Sequence, residues 1–497
     1  MNVYLLLPNQ DFDLSAPTKQ ETDPITSDLE LETVFQAMSC GDTVIDGTVR
    51  SVLLRYLQEP DTILYRQEIV RDCLLHPAEI RQLYQITLNA LEAKKKGHWW
   101  LSSSYLPALF SGAVDILDCF LTYLDELRKY ADTNTSVFSS RGLLRLLAML
   151  QQQLDDTFLE DAKSVLNELR FRDGTLIGLS LGPYNQGKQY TLLRKNPERF
   201  WRRWTFAPKF TLAPRDDAGA KDLSNRRDLA LDQSVDILVE SAEHVEDFFT
   251  RLRDELAFYI GVLNLCDRLR ERNVAFCIPT ILADSRKLRT FQTLCDVSLA
   301  LSIQHPVGNS IHAEDQRLYI ITGANQGGKS TFLRSVGQAQ LMAQAGVIVA
   351  AEEYTSHIAK GIFTHFKKEE DQGMDSGKLD EELLRMSGIV NHLQKDSLVL
   401  FNESFAATNE REGSELCREI TLALVENQVE VFSVTHLFTF ANQIYQQNRA
   451  DTTFLRAERL ADGKRTFQIL LGRPLQTAYG QDLYNQIFQP ATQTSMD

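Results

Sequence analysis

One short run of this 497-residue chain is spaced for phosphate chemistry. Gly323, Ala324, Asn325, Gln326, Gly327, Gly328, Lys329 and Ser330 fit the pattern GxxxxGK[ST], and Thr331 follows. Glycine lets the backbone curl so that successive N–H groups point at phosphate oxygens. A helix starting at Lys329 adds its positive N-terminal end. Lys329 can then reach the β- and γ-phosphates of a nucleotide, and Ser330 can offer its hydroxyl to Mg²⁺. A chance match somewhere in a chain of this size has odds on the order of one in fifty. The strand expected before it and the helix expected after it lower those odds further.

A second cluster stands near residue 400. The apolar run Ser397–Phe401 ends in Asn402 and Glu403. An acid at this end of a strand beside a phosphate loop assists the metal, and the next acid orients water. Glu403 suits the general-base role. Asn402 stands where aspartate is usual; its oxygen accepts hydrogen bonds from metal-bound water but carries no charge, so Ser330 and the phosphates bear more of the metal. His436, after the run Val429–Thr435, is placed to sense a γ-phosphate.

These residues need a scaffold. From 299 onward, short β-branched runs alternate with helical ones, which predicts an α/β domain with a mostly parallel sheet over 299–497 and a helical tail. Leu318–Ile321, Ser397–Phe401 and Val429–Val434 are the clearest strands, and a helix is expected from Lys329 to Ala345. Upstream, residues 1–30 read as an N-terminal arm, with a short apolar run at Val3–Leu7 and a loose arm or loop over 9–30. Residues 31–298 read as an all-α core and lever, with helical spacing over Ala78–Lys95, Leu143–Leu169 and 233–272. The last of these would reach about 60 Å at 1.5 Å per residue, with Pro279 closing it. A small β and basic insertion interrupts the helical part near 174–230.

Charge and composition bound the partners. Hydrophobic residues at 43% and charged residues at 24% are those of a globular chain. The net charge of -15 argues against a small nucleic-acid-coating protein. The charge is uneven, however. From Lys188 to Arg227 eleven Lys/Arg face four Asp/Glu, a local +7 in an otherwise acidic chain. Within this island Arg194, Lys195, Arg199, Arg202 and Arg203, interleaved with Phe200, Trp201 and Trp204, could contact DNA phosphates and bases. Seven cysteines without CxxC spacing argue against a zinc site and for a reducing compartment. No signal peptide and no membrane-spanning apolar stretch are expected, which points to the cytoplasm.

Order and spacing together resemble the ATPase domain of the MutS family, the DNA mismatch-repair ATPases. Thr322 to Thr331 is similar to TGPNMGGKST, Leu398–Glu403 to LVLxDE, and Phe432–His436 to the FATH switch; His305-Pro306 looks like the RHP that opens the domain. Thr408 and Gly413 stand where the family has a threonine and a glycine after the acids. Tyr65–Val70 and 233–272 resemble its core and lever helices. The resemblance implies an ABC-type P-loop (Walker A) ATPase that binds ATP with Mg²⁺. It also implies a homodimer in which a signature loop of one subunit completes the other's site. That loop aligns with Ser376-Gly-Lys-Leu-Asp380, leaving Ser376 and Lys378 as donors. The chain reads as a short member without the mismatch-reading domain and its Phe-x-Glu motif, and without a nuclease-like extension after residue 445. The implied function is ATP hydrolysis coupled to DNA binding in repair or recombination. A nucleotide-gated, protein-binding scaffold with little turnover is the alternative, favoured by Asn402 and the altered signature loop.

Overall fold

The computed structural model describes residues 1–14, 16, 23–96, 105–172, 174–193, 211–283, 287–367, 377–460 and 463–475. The chain divides into two compact units. One comprises Met1–Leu5, Ala78–Ser139 and Leu143–Leu256; the other comprises Leu6–Pro77, Ser140–Gly142 and Ala257–Asp497.

The first unit is helical apart from one hairpin. Its core gathers Phe110, Val114 and Leu121 from helix Leu106–Asn134, Leu166 from helix Asp156–Leu169, and Leu231 and Val235 from the long helix Asp217–Glu271. Helix Leu106–Asn134 is long and apolar enough to cross a membrane by length and composition, contrary to the expectation that no such stretch exists. One of its faces builds this core, while Asp115 and Asp118 on its surface pair with Arg170. The hairpin pairs β1 (Ile177–Leu181) with β2 (Gly187–Leu192).

Several boundaries differ from those expected. The run 143–169 is two helices, Arg141–Gln153 and Asp156–Leu169. Asp155, extended at φ −65° and ψ 162°, caps the second by accepting from Phe158 N–H at 2.7 Å. The long helix starts at Asp217 rather than near 233. Asp216 accepts from Gly219 N–H at 2.8 Å, and Asp222 holds Arg226 one turn on, so 217–230 is helix and not part of a β insertion. It ends at Glu271, before Pro279, where Asn273 turns left-handed at φ 56° and Val274 N–H closes on Leu269 O. In the short apolar run at the start of the chain, Val3, Leu5 and Leu6 are buried.

The second unit carries two sheets. The larger runs β12–β11–β6–β10–β9–β8, where β6 is Leu318–Gly323, β8 Ile362–Phe366, β9 Leu398–Asn402, β10 Glu430–Val434, β11 Thr452–Arg459 and β12 Arg465–Leu471. All pairs are parallel except β11 with β12. Every residue of β8 and β10 is buried, as a sheet covered on both faces requires. The smaller sheet runs β3–β7–β4–β5, from Thr280–Leu282, Glu353–His357, Leu288–Leu294 and Asn309–Glu314.

The helix Lys329–Gln344 follows β6 and is buried over nearly its whole length. It carries three fully buried glutamines, each committed to other segments. Gln338 binds Leu29 O and Val297 N, Gln340 binds His357 O, and Gln344 binds Leu57 O and Ala359 O. Arg289 of β4 meets Glu430 of β10 in a fork, at 2.8 and 2.7 Å, with Gln340 and Tyr354 taking its other donors. Both ions are buried, so this bond joins the two sheets through a fully dry ion pair.

Candidate nucleotide site

The loop between β6 and its helix turns because its backbone reaches the left-handed region three times. Gly323, Gln326 and Gly328 have φ of 114°, 57° and 88°. A Cβ on Gly323 would sit 3.0 Å from Ala457 N of the neighbouring strand β11. Glycine is therefore required there by backbone conformation and by space alike. Such a turn directs consecutive N–H groups into one concavity.

Side chains from three strand ends converge on this loop. Lys329 Nζ donates to the carbonyls of Gly323 and Ala324, each at 3.0 Å. Burial pushes the Lys329 ammonium below the usual lysine range, against the pull of Glu403, with Arg465 adding to the depression. Ser330 donates its hydroxyl to Asn402 Oδ1 at 2.9 Å. Next to Asn402, Glu403 has a left-handed φ of 55° and donates its N–H to Val434 O at 2.9 Å. Its carboxylate lies 3.7 Å from His436 Nδ1. The His436 imidazole, with Lys329 and Lys367, holds the Glu403 carboxyl below the usual range despite its desolvation. A cleft of about 510 Å³ opens beside Glu403 and His436, lined also by Thr322, Gly323, Asn325 and Thr435 and by Glu410, Phe438, Thr439 and Leu475.

The expected residues thus divide into groups. Gly323, Asn325, Glu403 and His436 line one cleft; Lys329 is bonded to the carbonyls of Gly323 and Ala324, Ser330 to Asn402 beside Glu403, and Thr331 follows on the helix. Lys378 opens helix Lys378–His392 and is not among the described residues lining the cleft. Ser376, Arg194, Lys195, Arg199, Arg202 and Arg203 lie outside the described residues. The structure also adds residues that linear spacing did not single out. Phe467, half exposed at φ 62°, packs its backbone near Gly328, and Arg465 on the same strand bears on Lys329. Only the pairing of β12 with β11, itself beside β6, brings them there. Glu410 and Thr439, joined at 3.2 Å, came without a motif.

This arrangement can bind a polyphosphate. Loop amides and a buried ammonium face it, a carboxylate held ionised by an imidazole stands opposite, and two oxygen donors lie side by side. The comparisons with known proteins agree with that chemistry. Residues 58–272 match the MutS2 N-terminal domain family, and residues 319–492 match MutS domain V, a P-loop ATPase domain. A protein named Endonuclease MutS2 from Streptococcus equi subsp. equi (strain 4047) is 34% identical over 137 residues, 27% of this chain and 18% of the relative. MutS protein homolog 4 of Homo sapiens is 32% identical over 137 residues, 27% of this chain and 15% of its own length. The aligned stretches thus span less than a fifth of these relatives. Two domain matches in the order helical domain then phosphate-loop domain, together covering well over half of the residues, place the chain in the MutS family.

Proposed function

We propose that the chain binds ATP in this cleft and hydrolyses it in a Mg²⁺-dependent reaction, as an ABC-type ATPase. The observation that carries the reading is one linked set: Glu403 and His436 line the cleft with Gly323 and Asn325, Lys329 bonds the carbonyls of that loop, and Ser330 joins Asn402 next to Glu403. Lys329 and the loop amides bind the β- and γ-phosphates. Mg²⁺ suits the site because Ser330 Oγ and Asn402 Oδ1 are hard oxygen donors 2.9 Å apart; it would neutralise phosphate charge there. Glu403, ionised near neutral pH, orients a water and takes its proton as the oxygen attacks the γ-phosphorus, while the bond from that phosphorus to the β–γ bridging oxygen breaks and ADP leaves with the bonding pair. His436 keeps Glu403 charged and stands where the γ-phosphate would lie.

The family acts as dimers on DNA, which supports a composite site. Ser376 and Lys378 would then serve the partner's nucleotide rather than their own. DNA contact is assigned to Arg194, Lys195, Arg199, Arg202 and Arg203, in a repair or recombination role. All seven cysteines are free, which supports a reducing, cytoplasmic setting. A second reading, the nucleotide-gated scaffold with little turnover, is favoured by the uncharged Asn402 beside Ser330.

The deciding measurement is Mg²⁺-dependent ATP hydrolysis by the wild type and Glu403→Gln, with and without duplex, branched and single-stranded DNA. Stimulation by one DNA form and loss of turnover in the variant are expected. Equal turnover in both proteins would remove Glu403 as the base. Tight ATP binding without turnover or DNA binding would establish the scaffold.

A further inference from the structure

Behind Glu403 lies a closed polar cluster that the chemistry above does not use. His365 of β8 is fully buried and is paired with Phe401, one register step before Asn402. Its Nδ1 lies 2.7 Å from Ser404 Oγ, and its Nε2 lies 3.0 Å from Glu382 O on helix Lys378–His392. The ring stacks on Phe405 at 5.2 Å and meets Phe401 edge-on at 5.8 Å. Glu382 is itself buried; burial raises its carboxyl above the usual range, with the Phe405 backbone opposing the rise. Neither His365, Ser404 nor Glu382 lines the nucleotide cleft.

What this cluster grips is a strained turn. Glu403 and Phe405 both have left-handed backbones, at φ 55° and 58°. Each such residue costs roughly 1–2 kcal/mol and persists only where its surroundings over-determine it. The residue between them, Ser404, is held by the His365 ring, and Phe405 is held by stacking on the same ring.

We propose that His365 and Ser404 are positioning residues that fix the left-handed turn of Glu403 and so aim its carboxylate into the cleft. The proposal rests on the reading of Glu403 as the base. The hydrogen-bond pattern is consistent with a neutral ring. Glu382 O can only accept, so Nε2 carries the proton, and in a neutral ring Nδ1 can only accept. The Ser404 hydroxyl lies 2.7 Å from both Nδ1 and His365 O, and its single proton goes to one of them at a time, in either case onto the same residue. Burial and the nearby Arg385 keep the ring uncharged. Losing the Ser404 hydroxyl would free the turn to relax without emptying the cleft of any group that touches nucleotide.

The test uses the full-length chain and the variants Ser404→Ala and His365→Gln, each alone and combined with Glu403→Gln. Ser404→Ala is expected to lower kcat at least about tenfold, with KM and ATP affinity within about twofold. In the Glu403→Gln background it is expected to add no further loss beyond about twofold, because it acts only through Glu403. Unchanged kcat in Ser404→Ala, or an undiminished loss in the double variant, overturns the proposal while leaving the Glu403 reading intact. Full turnover in Glu403→Gln, or none in the wild type, overturns that reading and the proposal together. Should His365→Gln fail to fold, Ser404→Ala alone decides.

Discussion

The hydroxyl of Ser330 donates to the side-chain oxygen of Asn402 at 2.9 Å, joining the phosphate loop to the end of β9. The pair offers a metal two oxygens and no charge, and the next residue, Glu403, supplies the only carboxylate of this strand end. Asn402→Asp is therefore expected to lower the Mg²⁺ concentration for half-maximal ATP hydrolysis by about three- to tenfold, since ligand charge strengthens binding. A Mg²⁺ titration at saturating ATP checks this; an unchanged midpoint would place the metal elsewhere.

Lys329 is held by two loop carbonyls at 3.0 Å and lies buried at the head of its helix. Lys329→Ala is expected to weaken ATP binding by about 100-fold or more, equivalent to roughly 2.7 kcal/mol. Fluorescent-nucleotide titration reads the change, and retained helical circular dichroism separates it from unfolding. Ordinary affinity in this variant would sink the phosphate-loop reading.

Arg289 and Glu430 form a dry, forked pair. Breaking it from one side strands a buried charge, so Arg289→Met is expected to cost about 3–5 kcal/mol in urea unfolding. Adding Glu430→Gln to the same chain removes the stranded charge and is expected to recover part of the loss. A double variant no more stable than the single one would show that Glu430 is satisfied without Arg289, for instance by His357 at 3.3 Å.

Burial drops the pKa of His365 from 6.5 to about 4. A base with a depressed pKa binds fewer protons folded than unfolded between those values, so stability rises with pH there. The contribution is complete above the unfolded pKa and is lost as pH falls through the window, by about 3 kcal/mol in total. Glu430, held low by Arg289 and His357 against its own desolvation, loses its share only below the ordinary carboxylate range. Subtracting the urea-unfolding pH profile of His365→Asn from that of the wild type is expected to leave a slope confined to the interval from 6.5 to about 4. A flat difference would mean that the ring takes up protons alike in the folded and unfolded chain, so that burial does not depress it.

Residues close in sequence were readable because their interactions are local. Gly323 to Ser330 carry the loop's shape in their own backbone, and the helix that begins at Lys329 ends within a residue of the expected position. The strands containing Leu318, Leu398 and Val431 announced themselves as apolar runs. Helix ends were less legible. Asp155 and Asp216 decide them through single side-chain caps that interrupt, or extend, an otherwise continuous helical pattern. The apolar character of Leu106–Asn134 likewise says nothing of which face is covered until Leu166, Leu231 and Val235 pack on it.

By itself, the sequence determined that this chain holds a glycine-rich GxxxxGK[ST] run, an apolar strand ending in Asn402-Glu403 and a histidine after another apolar run, because each is a contiguous pattern of residue types. Tertiary structure alone decided that they meet. Parallel strands adjacent in the sheet are far apart in sequence, so Ser330 reaches Asn402, and Glu403 reaches His436, only once β6, β10 and β9 are paired. The left-handed turn at Glu403 is likewise invisible in a residue that avoids it intrinsically; the neighbouring Ser404 is bonded to His365 of β8, whose ring is in turn bonded to the helix carrying Glu382.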